Sequence, residues 1–192
     1  MYKVPMQKVD LRNVMLKGRI LDIGGGGEGI IGHMKKNKVV AIDPSERELR
    51  EARCGGLKII MDVRMLKFLD CTFDTVTAFF SLLYIPEDDR EQVFKEVHRV
   101  LKKGGHFVIW DAVMPKRRAN QKKNIFVLPL TIMMPRTKIQ TAFSAPWYQN
   151  GQNCRSFQKV SDKVGFLVIK TSARKSVCFM RMVKTNCDRP DQ

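Results

Sequence analysis

The chain has 192 residues and a mass of 22.1 kDa, the size of one domain with a single core. Apolar residues make up 44%, an ordinary share for a globular protein, and the longest apolar runs, TVTAFFSLLYI and IFVLPLTIMM, are too short to cross a bilayer as helices. The net charge of +16 is unevenly spread: residues 1–113 hold 19 Lys+Arg against 16 Asp+Glu, residues 114–192 hold 16 against 3, and no glutamate follows Glu96. That asymmetry suits either an anionic partner or a solvated basic face. The opening MYKVPMQKVDLRN is broken by charges and a proline, so no secretory signal is expected. Five cysteines, at 54, 71, 154, 178 and 187, are odd in number and contain no C-x-x-C pair. The expectation is a cytoplasmic protein with reduced thiols, no membrane partner, no disulfide framework and no metal site.

Taken in chain order, the signals up to residue 111 alternate strand, turn and helix. RILDI (19–23) reads as a buried strand, and the glycines after it open a short helix, GIIGHMKK. KVVAID (38–43), LKIIMD (57–62), FDTVTAFF (73–80) and HFVIWDAV (106–113) are further strands, with PSERELREAR a helix after the second. Their nearly continuous apolar character is that of parallel strands buried on both faces. In EDDREQVFKEVHRVLKKGG, Val93, Phe94, Val97, Val100 and Leu101 recur at helical spacing, and Gly104–Gly105 are the expected stop. The predicted fold is an open, doubly wound α/β sheet. After residue 113 the rhythm changes. MPKRRANQKKN is a basic loop, and Pro129, Pro135 and Pro146 interrupt two apolar runs, which predicts an edge hairpin or flap over 114–150. RSFQKVSDKVG reads as a helix, and FLVIKT and SVCFMRMV as two closing strands within 151–192. No boundary marks off a second domain.

The glycine-rich turn LDIGGGGEGIIG (21–32) asks which ligand needs so bare a backbone. Gly24, Gly26 and Gly29 spell the G-x-G-x-x-G dinucleotide fingerprint, and Asp43 stands about 20 residues on, where a ribose-binding acid is expected. Taken alone, this fits NAD and an oxidoreductase. Asp22 shifts the balance, because a carboxylate beside the turn repels a pyrophosphate and attracts a cation. S-adenosylmethionine carries an ammonium and a sulfonium and no phosphate.

From ILDIGGGGEG through AIDPS, IIMDVRMLKFLDCTFDTVTAFFSLLYIPEDD and EVHRVLKKGGHFVIWD, the chain resembles the class I S-adenosylmethionine-dependent methyltransferases over roughly residues 18–113. The resemblance implies a Rossmann-like seven-stranded sheet of order 3-2-1-4-5-7-6 with the last strand antiparallel. It also implies that Asp22, Gly24, Gly25 and Gly26 hold the methionine end of the cofactor and that Asp43 holds the ribose hydroxyls beside Pro44. Asp62 and Val63 then meet the adenine, and Phe80 and Ser81 run beneath the methyl donor. The family's alternating glycines are broken by Glu28, which leaves Gly27 and Gly29 less firmly assigned.

Alignment of the acceptor with the methyl carbon is the main chemical task, and a general base is needed only for an acceptor that is protonated. Asp111 and Tyr84 are the candidates for that base; His33, His98 and His106 read more readily as structural. Absence of Asn-Pro-Pro-Tyr or Asp-Pro-Pro-Tyr after the fourth strand disfavours the amino-methylating nucleic-acid branch. The 114–150 segment is the expected lid, with Trp147 and Tyr148 either presented to an acceptor, anchored on the sheet, or part of a homodimer contact. The expected function is methyl transfer to a small-molecule acceptor. The alternatives are an RNA methyltransferase using the basic 114–192 region, an NAD-dependent oxidoreductase, and a non-catalytic protein that keeps the cofactor pocket.

Overall fold

Two short strands begin the chain, β1 (Tyr2–Lys3) and β2 (Gln7–Asp10). The β-α alternation then runs β3 (Ile20–Ile23), α1 (Ile30–Lys35), β4 (Val39–Asp43), α2 (Glu46–Glu51), β5 (Leu57–Ile60), β6 (Phe73–Phe79), α3 (Arg90–Val100) and β7 (Leu101–Ala112). The hairpin β8 (Ile125–Met133) and β9 (Lys138–Pro146) follows, then α4 (Cys154–Val164), β10 (Phe166–Arg174) and β11 (Val177–Lys184). The computed structural model describes residues 1–52, 55–118, 120–147 and 151–186.

The main sheet has the order β10-β11-β7-β6-β3-β4-β5. β3 to β7 are mutually parallel, and β11 runs antiparallel between β7 and β10. This is the order expected from the resemblance. One face packs on α3 and α4 through Phe94, Phe107, Phe157 and Phe166. Each such ring, fully buried, stabilises by about 1.5–3 kcal/mol. The other face packs on α1, α2 and a second sheet. Local signals set the helix ends. The Ser45 hydroxyl accepts the Glu48 N–H at the start of α2, and Asn153 and Ser156 form a capping box on α4.

Two expected element ends are corrected. α3 ends at Val100, and Leu101–Gly105 already belong to β7, so the glycine pair lies in a strand that slips register against β6 between Phe73 and Thr75. The helix end is closed from elsewhere: the buried Lys184 ammonium donates to the carbonyls of His98 (2.8 Å) and Leu101 (2.9 Å). β5 likewise ends at Ile60, so Asp62 lies in the loop beyond it.

The predicted edge hairpin is in fact the heart of a four-stranded sheet. β9 pairs along one side of β8, while β1 and β2 pair in tandem and in parallel with its other side. Pro129 is tolerated in this central strand because it falls between the β1 pairs (Phe126, Val127) and the β2 pairs (Leu130 onward), where the N-terminal partner is interrupted. Phe126, Leu128, Leu130 and Ile132 are fully buried beneath.

The thiol expectation also fails. Cys154, at the start of α4, is disulfide-bonded to Cys178 on β11. Cys71 is not disulfide-bonded, and Cys54 and Cys187 lie outside the described residues. No described helix is long and apolar enough to cross a membrane.

Candidate functional site

β3, β4 and β6 end on the same side of the main sheet, and β3 has β4 on one edge and β6 on the other. Such a switch in direction opens a crevice beyond the strand ends. Here it is a cavity of about 1180 Å³. Its floor is the glycine turn. Gly24 has φ 69°, and a Cβ there would fall 2.4 Å from the Ser81 Cβ. A Cβ at Gly26 would fall 2.6 Å from the Glu48 Cβ and 2.9 Å from Asp43 Oδ2. Only glycine lets the turn lie this close to β4, α2 and the segment after β6. Gly27 also lines the cavity, whereas Gly29 caps α1.

Of the residues singled out in the sequence, Gly24, Gly26, Asp43, Pro44, Asp62, Val63, Phe80 and Tyr84 line this cavity together. Asp22, Gly25 and Asp111 do not. Asp43 is half-buried; one carboxylate oxygen accepts the Ser45 N–H (2.9 Å) and the group also accepts the Gly26 N–H. Burial raises its pKa, and the neighbouring Glu48 adds to the rise. A carboxylate offers about four acceptor positions, so part of its capacity remains for a ligand. The Asp62 carboxylate accepts from the Arg64 side chain (2.6 Å) and backbone, which holds it below the usual range, and Arg64 also reaches Asp89 at 2.9 Å.

Asp22 lies behind the turn instead of in the cavity. It is buried, accepts the Thr77 hydroxyl at 2.7 Å, and burial lifts its pKa to about 7. A Cβ at Gly25 would come within 2.9 Å of Asp22 Oδ2, so the carboxyl sits directly under the loop and reaches a ligand only through it. From there it supports the turn.

Asp111 is fully buried. It accepts the backbone N–H groups of Leu82 (2.8 Å) and Ala112 (2.7 Å) and the Gln152 amide (2.7 Å), and Gln152 in turn accepts from Arg90 (2.6 Å). It positions the turn after β6 and is not available as a base. Tyr84 does line the cavity, but burial and then the charge of Asp111 push its pKa up to about 12, and the Ser144 backbone N–H donates to it. At neutral pH it is a phenol, a donor and not a base.

Phe80 adopts a left-handed backbone (φ 51°), a conformation that costs a bulky residue of order 1–3 kcal/mol. Its N–H donates to the Trp110 carbonyl (2.7 Å), and its ring stacks on Phe143 of β9 at 5.1 Å. The adjacent Ser81 hydroxyl lines the cavity, buried and without a partner.

The opposite wall comes from the 114–150 segment expected as the lid, although reasoning from the sequence named none of the residues that form it. Ile139, Ala142, Phe143 and Ser144 of β9 line the cavity, and the Thr141 hydroxyl bonds the Glu28 carboxylate of the glycine turn. The readable signal was Ile139, Phe143 and Ala145 at even spacing in KIQTAFSAP, the period of a strand. Trp147 is no acceptor platform: it is buried, packs on Tyr2 at 4.3 Å, and donates its indole N–H to the Pro115 carbonyl (2.8 Å). Tyr148 lies outside the described residues. His33 lines the cavity; His98 packs on Phe166.

The cavity is acidic in a basic chain. Among the described residues, Glu28, Asp43, Glu48, Glu51, Asp62 and Asp89 line it, with no lysine, and the two lining arginines, Arg47 and Arg64, are themselves paired with carboxylates. Among the described residues no cluster of His, Cys, Asp or Glu is arranged to hold a metal.

Comparison with known proteins agrees with this architecture. Residues 21–109 match the family model described as a methyltransferase domain. A sterol 4-C-methyltransferase of Caenorhabditis elegans is 36% identical over 103 residues, covering 50% of this chain and 28% of that protein. A phosphatidylethanolamine N-methyltransferase of Cereibacter sphaeroides is 39% identical over 102 residues, covering 48% of this chain and 49% of that protein. The chain thus spans half or less of the length of these curated relatives. A crystal structure of an S-adenosylmethionine-dependent methyltransferase from Mesorhizobium loti superposes with a TM-score of 0.60 at 17% identity, over 86% of this chain and 90% of that one, which is a likeness of fold. Residues 21–109 are thus similar to a methyltransferase domain, and the fold is that of solved S-adenosylmethionine-dependent methyltransferases.

Proposed function

We propose that the chain transfers a methyl group from S-adenosylmethionine to a small-molecule acceptor with an apolar body. The observation that carries this reading is the ring of carboxylates around a bare glycine turn. At an effective dielectric near 20, a unit charge about 8 Å from one carboxylate gains or loses about 2 kcal/mol. The sign therefore favours a sulfonium and an ammonium over the pyrophosphate of NAD.

The residues present fit this cofactor. Asp43, with acceptor capacity left over, suits a pair of ribose hydroxyls, and Pro44 lies beside it. Asp62, held in place by Arg64, and Val63 suit the adenine edge. Gly24 and Gly26, with Gly25 between them over the buried Asp22, suit the methionine end, and the unpartnered Ser81 hydroxyl is a further polar group for it. When bound, the cofactor supplies an electrophilic methyl whose leaving group is a neutral thioether.

What the chain contributes is orientation and dryness. Phe80 and Phe143 close the cavity with a stacked pair, and Asp111 holds the Leu82 backbone and so the turn that carries Phe80 and Ser81. Orientation of this kind can supply several kcal/mol. With Asp111 occupied and Tyr84 protonated, the site favours an acceptor that reacts through a lone pair it already has. Ile85, Ile139, Ala142 and Phe143 form an apolar flank suited to a hydrocarbon or aromatic body. RNA is the weaker reading, since its phosphates would meet carboxylates at the mouth.

Incubation of the protein with methyl-labelled donor and fractionated extract tests this. Label is expected in a small-molecule fraction, at a rate little changed by salt. Label entering RNA, with activity falling steeply as salt rises, would replace the acceptor assignment. Donor binding without product in any fraction would leave a binding protein, and calorimetric binding of NAD in place of S-adenosylmethionine would overturn the reading altogether.

A further inference from the structure

A second cavity, of about 190 Å³, lies toward the N-terminal end of β6, away from the strand ends that open the main site. It is lined by Met15, Lys17, Thr75, His106, Val108 and Arg181. Strand register brings its walls together, since Thr75 pairs with His106 and Val108 pairs with Arg181. The residues before β3 cover it, fastened by Arg181 donating to the Met15 carbonyl (2.9 Å) and by Thr75 Oγ1 donating to the Lys17 carbonyl (2.9 Å).

Two features of this pocket are chemically unmet. Among the described residues it is lined by two cationic side chains and by no carboxylate. His106 Nδ1 is buried with no hydrogen-bond partner, although the ring has a backbone hydrogen bond to Met182. A buried ring nitrogen left unpaired calls for a partner. Burial first, and then Arg181 and Lys17, hold the imidazole below its usual pKa, so at neutral pH the ring is uncharged. One ring nitrogen of a neutral imidazole is a donor and the other an acceptor.

We propose that this pocket is a binding site for hydrogenphosphate, a tetrahedral oxyanion that keeps a hydrogen at neutral pH. Its charged oxygens meet Lys17 and Arg181, and its P–OH donates to His106 Nδ1. Thr75 Oγ1, whose hydrogen is already given to Lys17, accepts only. Sulfate has the same size and charge and no hydrogen, so it satisfies the two cations and leaves Nδ1 unmet. A phosphate monoester is largely a dianion at pH 7, with a second pKa of about 6, and shares that defect. The pocket accounts for part of the anionic partnership that the charge asymmetry of the chain suggested.

The test is calorimetry and thermal denaturation of the whole chain at pH 7.5 with sodium phosphate, sodium sulfate and ribose 5-phosphate at matched ionic strength. Phosphate is expected to bind and raise Tm, with affinity at least about tenfold above sulfate or the ester. Arg181→Met should lose phosphate binding while keeping S-adenosylmethionine binding, which serves as the control for folding. Arg181→Gln is the second variant should the first fail to fold. His106→Phe should abolish the preference for phosphate over sulfate. Absence of phosphate binding at 10-fold molar excess over millimolar protein, equal binding of phosphate and sulfate, tighter binding of the ester, or binding retained in a folded Arg181 variant would each overturn the proposal. Each of these outcomes leaves the methyl-transfer reading of the other cavity untouched.

Discussion

The two sheets divide the main cavity between them. From the seven-stranded sheet come the glycine turn, Asp43 and the segment after β6; from the four-stranded sheet comes the wall of β9. They also differ in how they are assembled. Three of the four parallel pairs in β3 to β7 join consecutive strands, β3 beside β6 being the exception, whereas the second sheet joins the first ten residues to residues 125–133. The difference suggests a division of labour in which the larger sheet holds the donor and the smaller holds the acceptor.

The most disruptive test strikes the smaller sheet at its anchor. Trp147→Ala removes the ring packed on Tyr2 and the bond to the Pro115 carbonyl, and should cost about 3–5 kcal/mol. Hydrogen exchange should show β1, β8 and β9 losing protection while β3 and β6 keep theirs. Uniform loss across both sheets would mean that they unfold as one unit. On the larger sheet, Asp43→Ala deletes a charged acceptor and should weaken S-adenosylmethionine binding by about 100-fold by calorimetry, with the circular dichroism spectrum intact. Unchanged affinity would remove Asp43 from the ribose.

A subtler comparison uses Phe143→Ala, which takes away the β9 ring stacked on Phe80. KM for the acceptor should rise by about tenfold, the value of one lost aromatic contact of about 1.4 kcal/mol, with donor affinity changed less than about threefold. Equal effects on both ligands would erase the division of labour.

The smallest effect concerns acidity. Asp22 and Asp111, both on the larger sheet, hold their protons up to about pH 7 against an ordinary 3.8. The folded chain therefore binds more protons than the unfolded chain between those values. Their contribution to stability is present at low pH and is lost as pH rises from about 4 to about 7. The ion-paired Asp62 and Asp74, with lowered pKa values, act in the opposite sense only at and below the ordinary carboxylate range. Asp22→Asn keeps an acceptor for Thr77, and urea denaturation at pH 5, 6 and 7 should show a shallower decline than in the wild type. Parallel curves would mean that Asp22 titrates normally.

Much of the larger sheet could be read from one dimension because its determinants are local. ILDI, VVAID and DTVTAFF are apolar runs flanked by turn residues, and the glycine turn announces itself. Side-chain placement was less accessible. The sequence indicates a carboxylate at position 22, but only the strand pairing of β3 with β6 sends it toward Thr77 and away from the cavity. Asp111 had the right type and the right strand for a base, but it is buried and accepts from Leu82 and Gln152, both distant in the chain, and from the adjacent Ala112 N–H. Counting cysteines treated all five alike, whereas α4 brings Cys154 against Cys178 across 24 positions.

By itself, then, the sequence determined the parallel sheet, the bare turn and the acid at its second strand, because hydrophobic runs and glycine act over a few residues. Tertiary structure decided which carboxylates face the cavity and how the hairpin is completed by the N-terminal strands. It also decided where α3 stops. Those outcomes depend on partners distant in the chain, from the 55 positions between Asp22 and Thr77 to the 83 between Leu101 and Lys184, and no local preference encodes a partner that distant.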